Sequence, residues 1–264
     1  MVELLQRNLV EKPWGRRDVP EVFGAGAAQV GEAWFDRADD PLPVLVKWLF
    51  TSEKLSVQVH PDDAQAQARG LASGKEECWI IVDAEPGAQI GMGLRQAMAA
   101  DTVRDAALSG AIVDLIDWKP VVAGDWYFIP PGTIHAIGAG IRLVEIQQNA
   151  DITYRLYDYG RPRELHLDDG IAVAMTDRFD GASGSIAERQ GLVEVVRSAH
   201  FRIESYRGEA PVELAPDESR LFVPVSGCFD VDGVEIGSGQ VARGAANSLR
   251  GTAPDDLILL ATPA

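Results

Sequence analysis

The sequence predicts a mostly β chain: an antiparallel jelly-roll barrel followed by a second, degenerate barrel half, with a few short helices. Three observations point there. Glycine (26) and proline (15) cut the chain into many short apolar runs, the punctuation of a turn-rich β fold. Several of those runs alternate with a period of two, as strands with two different faces do. Helical patterns are short and sit between strands, which argues against a βαβ repeat and for an antiparallel roll.

In order along the chain, strands are expected at Pro43–Leu49, Leu55–Val59, Cys78–Val82, Trp126–Ile129, Ile141–Gln147, Phe201–Tyr206, Leu221–Val225 and Leu257–Ala261. In the fifth of these, Leu143, Glu145 and Gln147 share one face and Val144 and Ile146 the other. Helical turns are expected over Pro61–Gly70, over Asp101–Gly110 with Asp101 as N-cap and Gly110 as stop, and over Ala111–Ile116. Thr176–Gln190, with its Asp-Gly-Ala-Ser-Gly-Ser run, reads as a linker or exposed connection.

A chain of 264 residues can bury a substantial core as one large domain or two smaller ones. No apolar run approaches the ~18 residues of a membrane span, and the N-terminus lacks the pattern of a secretory signal. Two cysteines, Cys78 and Cys228, build no disulfide framework and suit a reducing compartment, so the expected location is cytoplasmic. A net charge of -16 argues against nucleic-acid and anionic-membrane partners. An anionic small molecule would have to be captured locally, by a few cations and a metal within a cleft. Self-association into a homo-oligomer is left open.

Two segments carry the chemistry. In Ser56-Val-Gln-Val-His-Pro-Asp-Asp63, Gln58 and His60 are two apart and point the same way. In Gly124-Asp-Trp-Tyr-Phe-Ile-Pro-Pro-Gly-Thr-Ile-His135, a glycine turn leads a β-rich run into a Pro-Pro-Gly corner with a histidine beyond it. Between them, Lys75 and Glu77 share a strand face, with Cys78 on the opposite face as a packed thiol. One Gln, two His and one Glu form a mixed O/N donor set suited to a divalent metal.

The spacing glycine, five residues, proline, one residue, glycine, two residues, histidine over Gly124–His135 is the second signature motif of cupins. Together with Gln58-Val-His60-Pro61, Lys75-Glu-Glu77-Cys-Trp79, and Glu145 through Asp151-Ile-Thr-Tyr-Arg155-Leu-Tyr-Asp-Tyr-Gly-Arg161, it resembles the type I phosphomannose isomerases. Lys12-Pro-Trp-Gly15, Gly31-Glu-Ala-Trp34 and the Lys47 strand extend the likeness, which is strong over roughly residues 10–167 and weak beyond. The resemblance implies a cupin-type barrel that interconverts mannose 6-phosphate and fructose 6-phosphate with one divalent metal ion, usually zinc. It implies Gln58, His60, Glu77 and His135 as metal ligands. Arg155 and Glu145 match active-site positions, and Lys47, Ser56, Lys75, Asp151 and Arg161 match positions that line the substrate pocket or hold its phosphate. It implies a catalytic domain over residues 1–167, with a short helical excursion near 94–118 where longer relatives carry a large insertion. Residues 168–264 would then form a second, metal-free domain.

Such an isomerisation needs a base near the sugar carbon and positive charge near its oxygen. Glu145 or a desolvated Lys75 could be the base, and the sequence does not choose. Trp14 and Trp34 read as pocket wall, since indole offers one donor and no basic site. His166 and His200, outside the motifs, read as structural, and Lys12, Arg16 and Arg17 as a solvated basic cluster. Two other classes fit the same scaffold: a non-catalytic sugar-phosphate binder and a cupin metal oxygenase. The latter usually presents a His-x-His pair, where this chain has Gln58-x-His60.

Overall fold

The computed structural model describes residues 1–36, 40–179 and 181–264. Four antiparallel sheets stack as two jelly rolls, and every strand expected from the sequence is present. The first roll faces a seven-stranded sheet against a five-stranded one. The seven-stranded sheet runs, in spatial order, Ser183–Ser185, Asp125–Ile129, Glu77–Ala84, Ile141–Gln148, Val44–Phe50, Val30–Asp36 and Gln6–Arg16. The five-stranded sheet runs Tyr154–Tyr157, Val57–Val59, His135–Ile137, Gln89–Leu94 and Ile116–Pro120. Each roll is two facing sheets, which fits the jelly-roll architecture expected without closing into a continuous cylinder.

Both faces of the central strands of the seven-stranded sheet are buried. Val44, Val46, Trp48 and Phe50 join Cys78, Ile80, Val144 and Ile146 against Phe201, Ile203, Val223 and Leu259 of the second roll. That face is the seam between the rolls. It explains why Val44–Phe50 is apolar throughout except for Lys47, whose side of the strand faces the first roll's interior. The second roll pairs a six-stranded with a four-stranded sheet around an apolar core that includes Phe222, Phe229, Ile236 and Leu260.

Two local expectations are refined, and one helix is unforeseen. The helix Ala100–Ser109 starts after Ala99, which makes no side-chain cap, and Asp101 lies inside its first turn. A carboxylate there acts on the helix dipole, so the same residue type serves without capping. Gly110 does close that helix, at φ 83°. Thr176–Gln190 is largely exposed, but it is not a bare connection, since Ser183–Ser185 pairs with Asp125–Tyr127 and extends the first roll; Asp180 lies outside the described residues. An unforeseen helix, Leu167–Val173, begins where the domain division at 167/168 was expected, and Val173 belongs to the first roll's core. The second roll's own sheets start with Gly191–Arg197, and Glu3–Leu4 joins them by pairing with Ala242 and Arg243.

Among the described residues no helix is long and apolar enough to cross a membrane.

Candidate metal centre and active site

Strand register assembles the site. On the five-stranded sheet, Gln58 pairs with His135 on one side and Arg155 on the other, so three polar side chains stand in one row. On the facing sheet, Glu145 pairs with Lys47 and with Trp79, and Trp34 pairs with Lys47, making a second row. Gln147 and Glu77 pair one step along. The Pro130-Pro131-Gly132 corner ties the two segments together: the Gly132 amide donates to the His60 carbonyl at 2.8 Å. Gly132 has φ 82°, a conformation that favours glycine, and a Cβ there would meet Met175 Cγ at 3.0 Å.

Donor atoms of His60, Glu77 and His135 lie within 4.8 Å of one another, and all three residues are buried. Gln58 closes the group, its amide nitrogen 3.2 Å from His135 Nε2. A half-turn of that amide exchanges its nitrogen for the ligating oxygen. His135 Nδ1 lies 2.8 Å from the Thr133 carbonyl, which can only accept, so Nδ1 carries the proton and Nε2 keeps its lone pair.

Two observations fit this group to a divalent cation. Both ring nitrogens of His60 and Oε1 of Glu77 are buried without a hydrogen-bond partner, although Glu77 Oε1 is 2.9 Å from His60 Nε2 and 2.6 Å from Lys75 Nζ. Glu77 Oε1 is thus ion-paired with Lys75, while the buried ring nitrogens of His60, in no well-formed hydrogen bond, want a ligand. The protonation states also suit metal binding. Burial, helped by the Lys75 charge, pulls His60 down to about 3 against the pull of Glu77, so the imidazole is neutral. Burial likewise lowers His135. Burial would raise Glu77, but the charge of Lys75, with His60 alongside, outweighs it and holds the carboxyl well below its ordinary range.

Beside this centre opens a cavity of about 350 Å³. Lys12, Trp14, Trp34, Lys47, Ser56 and Gln58 line one part of it; Lys75, Glu145, Asp151, Arg155, Arg163 and His166 line more. The chain is strongly acidic, yet five cations border this space. Glu145 is 4% exposed, with Lys47 Nζ 3.6 Å and Lys75 Nζ 3.9 Å from its Oε1. Trp79 Nε1 donates to Glu145 Oε2 (3.1 Å) and to Glu77 Oε2 (2.8 Å), bridging the metal ligand and the cavity acid. Burial and the Glu77 charge push Glu145 up to about 7, against the two lysines. For Lys75, burial pulls down, but Glu77 and Glu145 prevail and raise it above the ordinary lysine range. Lys47 goes the other way, lowered by burial and by the charge of Lys75, and its ammonium sits 4.1 Å from the centre of the Trp34 ring.

Of the residues expected at the site, Trp14, Lys47, Ser56, Gln58, Lys75, Glu145, Asp151 and Arg155 border the cavity. Arg161 does not: its guanidinium is engaged by Asp158, Glu53 and the Lys54 carbonyl. The basic cluster near the N-terminus splits. Lys12 faces the cavity and pairs with Glu32 at 3.4 Å, whereas Arg16 is bound to Asp18 and Glu85 elsewhere. His166 is part of the cavity wall, and its Nδ1 accepts from the Arg155 amide at 3.2 Å. His200 stays outside the site, 3.9 Å from Asp63. Sequence reading missed Trp79, Arg163 and His166. Alternation from Glu77 could have found Trp79, while the other two are brought in by a loop.

Residues 17–89 match the family model described as phosphomannose isomerase type I, catalytic domain. A mannose-6-phosphate isomerase of Streptococcus mutans is 36% identical over 191 residues, 69% of this chain and 60% of that protein. The chain is a relative of the type I phosphomannose isomerases. ManA, a mannose-6-phosphate isomerase of Bacillus subtilis, is 42% identical over 141 residues, 51% of this chain and 44% of ManA. These matches span less than two thirds of either relative. A crystal structure of mannose 6-phosphate isomerase from Bacillus subtilis superposes with a TM-score of 0.80 at 24% identity, over 98% of both chains. A variant of phosphomannose isomerase from Salmonella typhimurium gives 0.75 at 11% identity, over 100% of both. At those identities the solved structures establish the shared cupin-like fold.

Proposed function

We propose that this protein is a metal-dependent aldose–ketose isomerase that interconverts mannose 6-phosphate and fructose 6-phosphate through an enediol(ate). The observation that carries it is one buried carboxyl, Glu145, poised near neutrality between two lysines and joined through Trp79 to the His60/Glu77/His135 group. Gln58, His60, Glu77 and His135 would hold the ion, and zinc suits a set of two imidazoles, one carboxylate and one amide oxygen. Bound there, a divalent ion would supply Lewis-acid polarisation of substrate oxygen.

The remaining work falls to the chain's own residues. Glu145 takes the proton from C2 of the aldose on a carboxylate oxygen, a proton passes from the 2-hydroxyl to O1 of the enediolate, and Glu145 returns its own proton to C1 as the C2 carbonyl forms. A pKa near 7 suits both halves of that transfer, because the group is comparably good as base and as acid at neutral pH. Lys75, whose neighbours keep it protonated, is the cation beside the developing oxyanion and not the base; Lys47, near the same Glu145 oxygen, assists. Trp14 and Trp34 wall the cavity and exclude water, while Ser56, Asp151 and Lys12 offer polar contacts to sugar hydroxyls. Arg155 supplies positive charge toward the phosphate. Both cysteines are unpaired, which supports a reducing, cytoplasmic setting.

The test is conversion of mannose 6-phosphate to fructose 6-phosphate by the full chain, and the expected outcome is turnover that falls sharply in Glu145→Gln. Ligand-induced stabilisation without solvent proton exchange at C1 or C2 would mark a non-catalytic binder instead.

A further inference from the structure

Within the cavity wall two guanidinium groups stand together, those of Arg155 and Arg163. Arg155 is partly desolvated, and the neighbouring charge of Arg163 further disfavours its own; together they outweigh the opposing pull of Asp158, Glu164 and Asp151 and lower its pKa. Two like charges on one wall raise each other's energy, and an anion seated against both relieves that repulsion.

Arg163 is not a loosely solvated side chain. Its Nε and Nη2 donate to the two oxygens of Asp158 at 2.5 and 2.7 Å, and Asp158 is 2% exposed. This fork fixes the guanidinium plane and leaves Nη1 to reach a ligand. The loop that does this is itself tightly specified. The Arg161 amide donates to the Asp158 carbonyl at 3.0 Å across Tyr159 and Gly160, both in the left-handed region with φ 54° and 76°. An aromatic residue there is strained, and such strain is kept where surrounding structure enforces it. Ring contacts from Tyr157 (5.2 Å between centroids) and from the Arg161 guanidinium (5.6 Å) hold Tyr159 in place. Arg161 is spent within this loop: Nη1 is on Asp158, and Nη2 is on the Lys54 carbonyl at 2.5 Å and on Glu53 at 3.3 Å.

We infer that the Arg155–Arg163 pair seats the phosphoryl group of the substrate, that Asp158 is the positioning residue that sets Arg163, and that Arg161 is a brace for the loop. The identity of the sugar rests on the isomerase reading; the anion site itself does not.

The experiment titrates inorganic phosphate into the metal-loaded full chain and its variants, and in parallel measures kcat and KM for mannose 6-phosphate. Arg163→Met is expected to weaken phosphate binding and raise KM by about 10- to 100-fold, with kcat within about threefold. Arg163→Gln carries the same test if the Met variant is unstable. Arg163→Lys recovers only part of the affinity, since an ammonium cannot reproduce the fork. Asp158→Asn shifts both affinities in the same direction by less, again with kcat kept. Arg161→Met leaves both within about threefold while lowering the melting temperature. The inference is overturned if Arg163→Met binds phosphate like the parent, or if Arg161→Met loses as much. Loss of phosphate binding in Arg163→Met by a chain that does not isomerise mannose 6-phosphate would sink the isomerase reading and leave the anion site standing.

Discussion

The two rolls share an architecture and have opposite interiors. Inside the second, Phe222, Phe229, Val231, Ile236, Leu249, Ile258 and Leu260 fill the space between sheets, nearly all fully buried. Inside the first, Lys47, Lys75, Glu77, Glu145, His60 and His135 occupy corresponding depth, each 4% exposed or less. Buried charge costs several kcal/mol per group unless it is paired, and here the pairs are incomplete. The apolar seam, with Trp48, Phe50, Phe201 and Leu259, and the second roll supply the burial that lets the first keep a polar interior.

If this division of labour is right, the two interiors respond to mutation in opposite ways. The largest expected effect is on catalysis: Glu145→Gln should cost about 100- to 10,000-fold in kcat, with metal content and fold unchanged. A loss below tenfold would remove Glu145 as the proton-transfer group. Phe229→Ala in the second roll should cost about 3–5 kcal/mol of stability, read by denaturant unfolding, while folded protein retains its kcat. A kcat loss comparable to that of Glu145→Gln would show that the second roll is no mere buttress.

A third expectation concerns pH. In metal-free protein Glu145 titrates at about 7, against an ordinary carboxylate value of about 4.3 in the unfolded chain. Between those values the folded state holds a proton that the unfolded state has released. Stability therefore falls as pH rises through this window. Glu145→Gln cannot lose that proton, so its stability relative to the parent should rise from pH 5 to pH 8. A constant difference would mean that the carboxyl is already ionised when folded. The smallest effect is at the strained turn: Tyr159→Asn trades relief of a left-handed aromatic for lost ring contacts, and should change the melting temperature by only a few degrees.

The same contrast sets what could be read from the sequence. Alternation located Glu145, Glu77 and Gln58 on inward faces because a strand has a period of two and one register fixes every side chain. Lys47 was legible as the sole charge in an apolar strand. Arg163 and His166 were not, because they follow a left-handed turn at Tyr159 and Gly160, after which strand parity no longer predicts direction. For that reason Arg161, which the family likeness placed at the phosphate, faces Asp158 instead. The Ser183–Ser185 strand escaped notice because Ser-Gly-Ser carries no apolar signal; its pairing comes from the exposed edge of Asp125–Ile129. Helix Leu167–Val173 was hidden by its Asp-Asp-Gly interior and is held by packing, not propensity.

The central claim is that the first roll's polar interior is built around one ion that an isomerase uses. The most direct measurement is isomerisation of mannose 6-phosphate before chelation, after it, and after zinc is restored, with metal content determined at each stage. The account predicts one divalent ion per chain, loss of turnover with loss of that ion, and recovery on its return. Undiminished turnover by metal-free protein, or none by fully loaded protein, would contradict it.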